Sequence, residues 1–282
     1  MNGFYSLWTA PGKTTGATTV VMQDYELLML LLSLASYQKF NGPAKMYADE
    51  TALEYLESLS VDKCFKRGTE LLTVPEGIDP QMFWAAGKLE ALKREQMPSV
   101  MIDTDLIIWK NLDYAFDRDT TDIAVIHRED ITESTYPDPH RFKMMDGYAF
   151  PDEWDFTVRP ANTALLFIKD NDFKNRYVEH SMEFMRKSVP DGDNLCHMVF
   201  AEQRILPMCA VAEQMNIYSF CDNMDALREQ KLFTHFWGHK NLLKFNLGER
   251  MSYCRRMMIR LRNEFPAMYE VAVAIDDLRV YA

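Results

Sequence analysis

Asp103-Thr104-Asp105 follows the apolar run Val100-Met101-Ile102, and Leu106-Ile107-Ile108-Trp109 beyond it is apolar again. Two acids one residue apart therefore interrupt a core segment. A buried carboxylate is costly unless it is paired or bound to a metal. The run reads as a buried strand, which sets the acids at its carboxyl end, where open α/β sheets bind ligands. Hard oxygen ligands suit Mg²⁺ or Mn²⁺, and such ions commonly carry substrate phosphates. The pattern points to a divalent ion holding a nucleotide diphosphate. An acid pair that only caps the next turn is the alternative.

The elements around these acids alternate. Strands are expected at Phe4–Thr9, Lys45–Ala48, Glu70–Val74, Ser99–Ile102 and Asp122–Ile126. Helices are expected at Val20–Tyr37, from the Asp49 cap to Leu59, and from Pro80 to about Glu95. This order predicts an α/β fold, a mostly parallel central sheet flanked by helices. Trp8, Thr9, Asp49, Asp103 and Asp105 all fall at strand ends of such a sheet. Residues 127–159, rich in Pro, Asp and aromatics, break the alternation. A strand at 161–168 follows, then a helix over Asp172–Lys187, a Pro190–Asp193 turn, a helix from about Asn194 to Leu206 that Pro207 restarts or bends toward Met215, and a last strong helix over Glu249–Glu264. No repeat or linker divides the chain, so residues 1–282 read as one domain.

Composition narrows the function. The 282 residues are 48% hydrophobic, enough for a full core. A net charge of −11 argues against binding nucleic acid and leaves a nucleotide ligand in need of a metal or local basic groups. Five widely spaced cysteines without a C-x-x-C pair exclude a zinc ribbon or disulfide framework and suggest free thiols in the cytoplasm. The start of the chain lacks a basic leader region, and its longest apolar run, Leu27–Ala35, is too short to span a bilayer. The expectation is a cytoplasmic protein without a transmembrane segment.

Several pieces taken together resemble the metal-dependent nucleotide-sugar glycosyltransferases of the GT-A fold, in particular bacterial polysaccharide-type members. Phe4–Gly12 is similar to their first strand and nucleotide loop, Ala44–Glu50 to their second strand with its Tyr-x-Asp end, and Phe83–Lys88 to the helix before their metal strand. Asn162–Ile168 is similar to the strand lining their acceptor side, and Thr234–Lys240 to their C-terminal His-x-x-Gly segment with a following Lys. The resemblance implies a Rossmann-like nucleotide-sugar half over about 1–126 and an acceptor half over about 127–282. It implies a hexosyltransferase-type enzyme that moves a sugar from a nucleotide diphosphate, by default a UDP-sugar, to a saccharide or glycolipid-type acceptor.

By this resemblance Asp105 binds Mn²⁺ or Mg²⁺ directly, Asp103 serves the ion, ribose or sugar, and His235 completes the metal site. Gly238 permits close backbone approach, and Lys240, or the neighbouring His239, meets phosphate. A core histidine is the other reading of His235. Tyr5, Trp8 and Thr9 are candidates for the base site, where an aromatic ring stacks on a nucleobase; core filling is the alternative for Trp8. Asp49 is a candidate partner of base or ribose while capping its helix. Lys13 and Lys88 are candidate phosphate or sugar contacts, or ordinary solvated lysines. Glu202 and Asp193, with Asp191 and Asp146, are eligible as the carboxylate base that an inverting transfer requires; Glu202 also reads as a solvated helix residue.

Tyr136, His140, Tyr148 and Trp154 either flank the acceptor or pack their long segment onto the domain. The arginines between Arg250 and Arg262 form the polar face of an amphipathic helix, facing solvent or making a peripheral contact with an anionic membrane. Two rival functions remain: a sugar nucleotidyltransferase, of whose Gly-rich loop Pro11–Gly16 is a faint echo, and a noncatalytic carbohydrate- or nucleotide-binding relative.

Overall fold

Two short strands and the helix that packs on them decide where the acids sit. The computed structural model describes residues 1–12, 21–236 and 238–282. Lys13, the Thr14–Gly16 stretch and Trp237 lie outside the described residues. The strands are β1 (Gly3–Leu7), β2 (Ala44–Ala48), β3 (Thr69–Leu71), β4 (Ser99–Ile102), β5 (Leu106–Ile108), β6 (Ile123–His127), β7 (Leu165–Ile168), β8 (Ile217–Cys221) and β9 (Phe233–His235). The helices are α1 (Asp24–Phe40), α2 (Glu50–Ser58), α3 (Ala86–Arg94), α4 (Asp113–Phe116), α5 (Asn171–Lys187), α6 (Asn194–Val199), α7 (Ile205–Ala212), α8 (Met224–Glu229), α9 (Lys240–Phe245), α10 (Leu247–Glu264), α11 (Pro266–Ala274) and α12 (Asp276–Arg279).

Seven strands form one sheet in the order β3-β2-β1-β4-β7-β6-β8, and β5 and β9 form a separate two-stranded ladder. β1 to β4 run parallel, and β6 and β8 are parallel to each other. The sheet is therefore mostly parallel, as expected. β7 departs, running antiparallel to both β4 and β6. A parallel return from β6 would need a crossover helix, and the 128–164 connection contains only one short 3-10 turn, at Pro139–Arg141.

Side chains alternate between the sheet faces. Tyr5, Met46, Val100, Ile102 and Phe167 face α1, α10 and α11. Phe4, Tyr47, Met101, Leu166 and Ile168 face α3, α5 and α7. α1 is buried almost all round because it is clamped between sheet, ladder and C-terminal helices. Two serines on it bind the ladder: Ser33 Oγ donates to the Leu106 carbonyl and Ser36 Oγ to the Ile108 carbonyl at 2.5 Å. Among the described residues, no helix is long and apolar enough to cross a membrane.

Two helices differ from expectation. The helix expected from Pro80 starts only at Ala86. Asp79 instead organises a turn, accepting from Gln81 N at 2.8 Å, which sends Met82 and Phe83 into the core. The helix expected from Asn194, restarted or bent by Pro207 toward Met215, does run on past Pro207, as far as Ala212, but contains a π turn over Phe200–Arg204. Pro207 has no N–H for the carbonyl four residues earlier. That carbonyl, of Gln203, accepts from Ala161 N at 2.9 Å instead. Tyr177 Oη takes the Glu202 carbonyl at 2.6 Å, and Ser181 Oγ that of Ala201 at 2.8 Å. The widened turn is thus satisfied by neighbouring elements, one of the recognised causes of such bulges.

α3 packs tightly on the end of β1. A Cβ at Gly87 would stand 2.5 Å from Cβ of Trp8 and 3.3 Å from Leu72. Gly87→Ala should destabilise the fold by about 1–3 kcal/mol in urea unfolding, in spite of alanine's better helix propensity. Unchanged or increased stability would show that Trp8 is not held against α3.

Candidate metal centre

The chain leaves the sheet at Ile102 and turns through Asp103-Thr104-Asp105. Asp103 N donates to the Ala164 carbonyl at 2.8 Å, and Leu106 N closes the turn on the Asp103 carbonyl at 3.1 Å. β5 then pairs antiparallel with β9, Leu106 opposite His235. Phe236 N donates to the Asp105 carbonyl at 3.2 Å, and Trp109 Nε1 to Thr234 Oγ1 at 2.7 Å. This ladder brings His235 to the acids across a separation of 130 residues (235 − 105). One potential ligand atom from each of Asp103, Asp105 and His235 lies within 4.8 Å of the others. His235 Nε2 stands 3.7 Å from Asp105 Oδ1, too long for a direct hydrogen bond.

Charge is compensated residue by residue. Lys240 Nζ, at the start of α9, lies 2.8 Å from Asp105 Oδ2. Burial works against the Asp105 charge, but His235 and Lys240 outweigh it and hold the carboxyl well below the usual range. Lys88 Nζ lies 2.6 Å from Asp103 Oδ1 and 2.5 Å from Glu202 Oε1. Thr163 Oγ1 donates to the same Glu202 oxygen at 2.6 Å. Burial disfavours the Lys88 ammonium, yet Asp103 and Glu202 raise its pKa above the ordinary value. Burial raises that of Asp103, with Lys88 opposing and Asp105 and Glu202 adding to the rise. Three carboxylates thus face two ammonium groups and one imidazole. The mixed oxygen and nitrogen donors fit a divalent cation.

These residues line a cleft of about 530 Å³ beyond the carboxyl ends of β1 and β4, together with Trp8, Trp84, Glu26, Asn162 and Gln203. Glu202 is 6% exposed, not solvated, and sits in the π turn. Lys88 is a largely enclosed pairing residue, its side chain 11% exposed, rather than a free helix lysine. Trp8 lines the cleft. Thr9 and Asp49 do not: Thr9 N and Oγ1 donate to Asp49 Oδ2 at 2.8 and 2.7 Å, and Ala52 N caps α2 on Asp49 Oδ1 at 3.0 Å. The pair fastens the loop that presents Trp8. Tyr5 is fully buried with its hydroxyl 3.0 Å from Ser33, a core residue and not a base platform. Asp193 is exposed and away from the cleft, accepting from Cys196 N at 3.3 Å as the cap of α6. Its place as a base is better explained by that cap.

The 127–160 segment divides. Tyr136 reaches the cleft side, its hydroxyl donating to Gln203 Oε1 at 2.6 Å. His140, Tyr148 and Trp154 pack with Phe150 and the rings around it, so they fasten the segment. Buried Arg204 secures it, donating to the Tyr136, Pro137 and Phe156 carbonyls. On α10, Arg250 pairs with Asp24 at 2.7 Å and Arg260 covers the Trp109 ring at 3.6 Å, while Arg255, Arg256 and Arg262 are exposed. Trp84, 43% exposed at the cleft mouth, and Glu26 were not anticipated as site residues.

Lys88→Ala would leave buried Glu202, and half-buried Asp103 beside it, without their shared cation. Removing one partner of a buried pair typically destabilises by about 3–5 kcal/mol. Urea unfolding should show a loss of that order, largely restored in a Lys88→Ala, Glu202→Gln double variant. A loss below about 0.5 kcal/mol would mean that the cluster is effectively solvated.

Comparison with known proteins places the chain by family rather than by activity. No curated protein matches the sequence. Among solved structures the chain is similar to the glycosyltransferase GlyE of Streptococcus pneumoniae, at 15% identity and a TM-score of 0.39, over 77% of this chain and 45% of that one. The chain thus spans less than half of GlyE's length. It is also similar to mouse xyloside xylosyltransferase 1 in its apo form, at 9% identity and a TM-score of 0.39, over 78% of this chain and 85% of that one. Likeness at that level assigns nothing by itself. Residues 1–275 match the model of DUF6734, a family of unknown function, and the chain belongs to that family.

Proposed function

We propose that this chain is a glycosyltransferase of the GT-A type that takes its sugar from a nucleotide diphosphate donor, UDP by default, and uses Mn²⁺ or Mg²⁺. The observation that carries the reading is the cluster of buried Asp105 with half-buried Asp103 and His235 at the carboxyl edge of β4, with Lys240 and Lys88 against its acids. Those three side chains would hold the ion. When bound, the ion supplies the positive charge that a departing diphosphate requires.

The chain's own residues do the rest. Lys240 adds a positive charge on the phosphate side of the cleft. Trp8 and Trp84 offer ring faces to the nucleobase. Lys88 and Thr163 fix the Glu202 carboxylate at the wall of the cleft. A negative charge so placed is suited to an oxocarbenium-like transition state. Five free thiols, four of them buried, suit a reducing compartment such as the cytoplasm. The acceptor in this reading is a saccharide or glycolipid.

Calorimetry of UDP with and without Mn²⁺ tests the reading. The wild-type chain should bind UDP in a Mn²⁺-dependent manner, and Asp105→Ala should weaken that binding by at least about tenfold, or 1.4 kcal/mol. Metal-independent affinity, or wild-type affinity in the variant, would refute the metal assignment. Glu202→Gln should keep UDP affinity and lower UDP release from a UDP-sugar by about two orders of magnitude, the scale of losing one preorganised charge. An undiminished rate would remove Glu202 from the chemistry.

A further inference from the structure

A second cleft of about 700 Å³ opens beyond His235. It shares Asn162, Leu195, Val199, Gln203 and His235 with the metal cleft, so the two adjoin as one groove with His235 at the junction. Part of its wall is polar and unfinished. His127, at the end of β6, is fully buried and borders the cleft. Its Nε2 lies 3.0 Å from Glu129 Oε1 without the alignment of a hydrogen bond, and its Nδ1 has no partner among the described residues. Asn162 Nδ2 approaches the same Glu129 oxygen at 3.4 Å. Buried polar atoms are ordinarily satisfied. An imidazole with one unpartnered nitrogen, beside a carboxylate at the wall of an open cleft, therefore suits a ligand rich in hydroxyl groups. Another part of the wall is apolar: Met224 and Leu227 of α8, with Phe233 of β9. These side chains belong to the second cleft alone.

We propose that this cleft is the acceptor chamber, and that it takes a glycoside carrying an apolar aglycone. Sugar hydroxyls engage Glu129, His127 and Asn162 beside the metal junction. The aglycone covers Met224, Leu227 and Phe233, and the hydrophobic contribution grows with its length. The inference rests on the transferase reading above.

The test is calorimetry of matched octyl and methyl glucosides, galactosides and mannosides, with the octyl compounds below their micelle concentrations. Among these pairs, one octyl glycoside should bind at least about tenfold tighter than its methyl partner. Leu227→Asp should abolish that advantage, and Glu129→Gln should weaken both members of the pair. Val211→Asp, exposed on α7 outside both clefts, should change neither. Met224→Asp serves as a second probe of the apolar wall, should Leu227→Asp not fold. Equal octyl and methyl affinities, no glycoside binding at all, or an octyl preference that survives both aspartate variants would overturn the proposal. Mn²⁺-dependent UDP binding is measured alongside on the wild-type chain, so failure of the transferase reading is seen separately.

Discussion

Asp105 keeps its charge at a place nearly closed to water, 6% exposed, and the surrounding structure supplies what that requires. An unpaired carboxylate there would take up a proton or unfold its surroundings. Two groups prevent this, Lys240 and His235, and both come from the far end of the chain. The β5 and β9 ladder delivers them, and α1 holds the ladder through Ser33 and Ser36. Remove the ladder and the acid turn after β4 becomes an ordinary surface loop. The same buried charge that makes the turn demanding as a structure makes it a strong site for a cation.

Glu202 is held by a related device on the other wall. Pro207 withdraws one helical hydrogen bond, the helix widens through Phe200–Arg204, and the freed carbonyls are taken by Ala161, Tyr177 and Ser181. The carboxylate is thereby set between Lys88 and Thr163. Lys88 joins the two walls, because one ammonium neutralises both Asp103 and Glu202. The cleft is thus charged and rigid before any ligand enters, which is what electrostatic preorganisation requires.

Much of this was legible in local sequence, and what was not has a common cause. An apolar run stopped by two acids marked β4 and its turn, and Asp49 ahead of a helical pattern marked a cap. β5 and β9 escape periodicity because three residues are too few to show one. The antiparallel course of β7 follows from the missing crossover helix in 128–164, which reads only as a long irregular stretch. Glu202 looks like a solvated helix acid because its burial depends on Lys88 and Thr163, distant in sequence. His127 gives no signal at all in the chain, since its significance lies in the partner that its Nδ1 lacks. Asp193 and Asp49 show the opposite case, where acids near strand and helix ends serve as helix caps, Asp49 also holding Thr9.

The most direct test of the account is crystallographic. Crystals grown with Mn²⁺ and UDP, measured at the manganese absorption edge, should show one anomalous peak bonded to the Asp105 carboxylate and His235 Nε2, with the diphosphate on its open side toward Lys240. UDP seated in the cleft without manganese at those side chains, or manganese bound elsewhere with these residues still paired only to lysine, would contradict it.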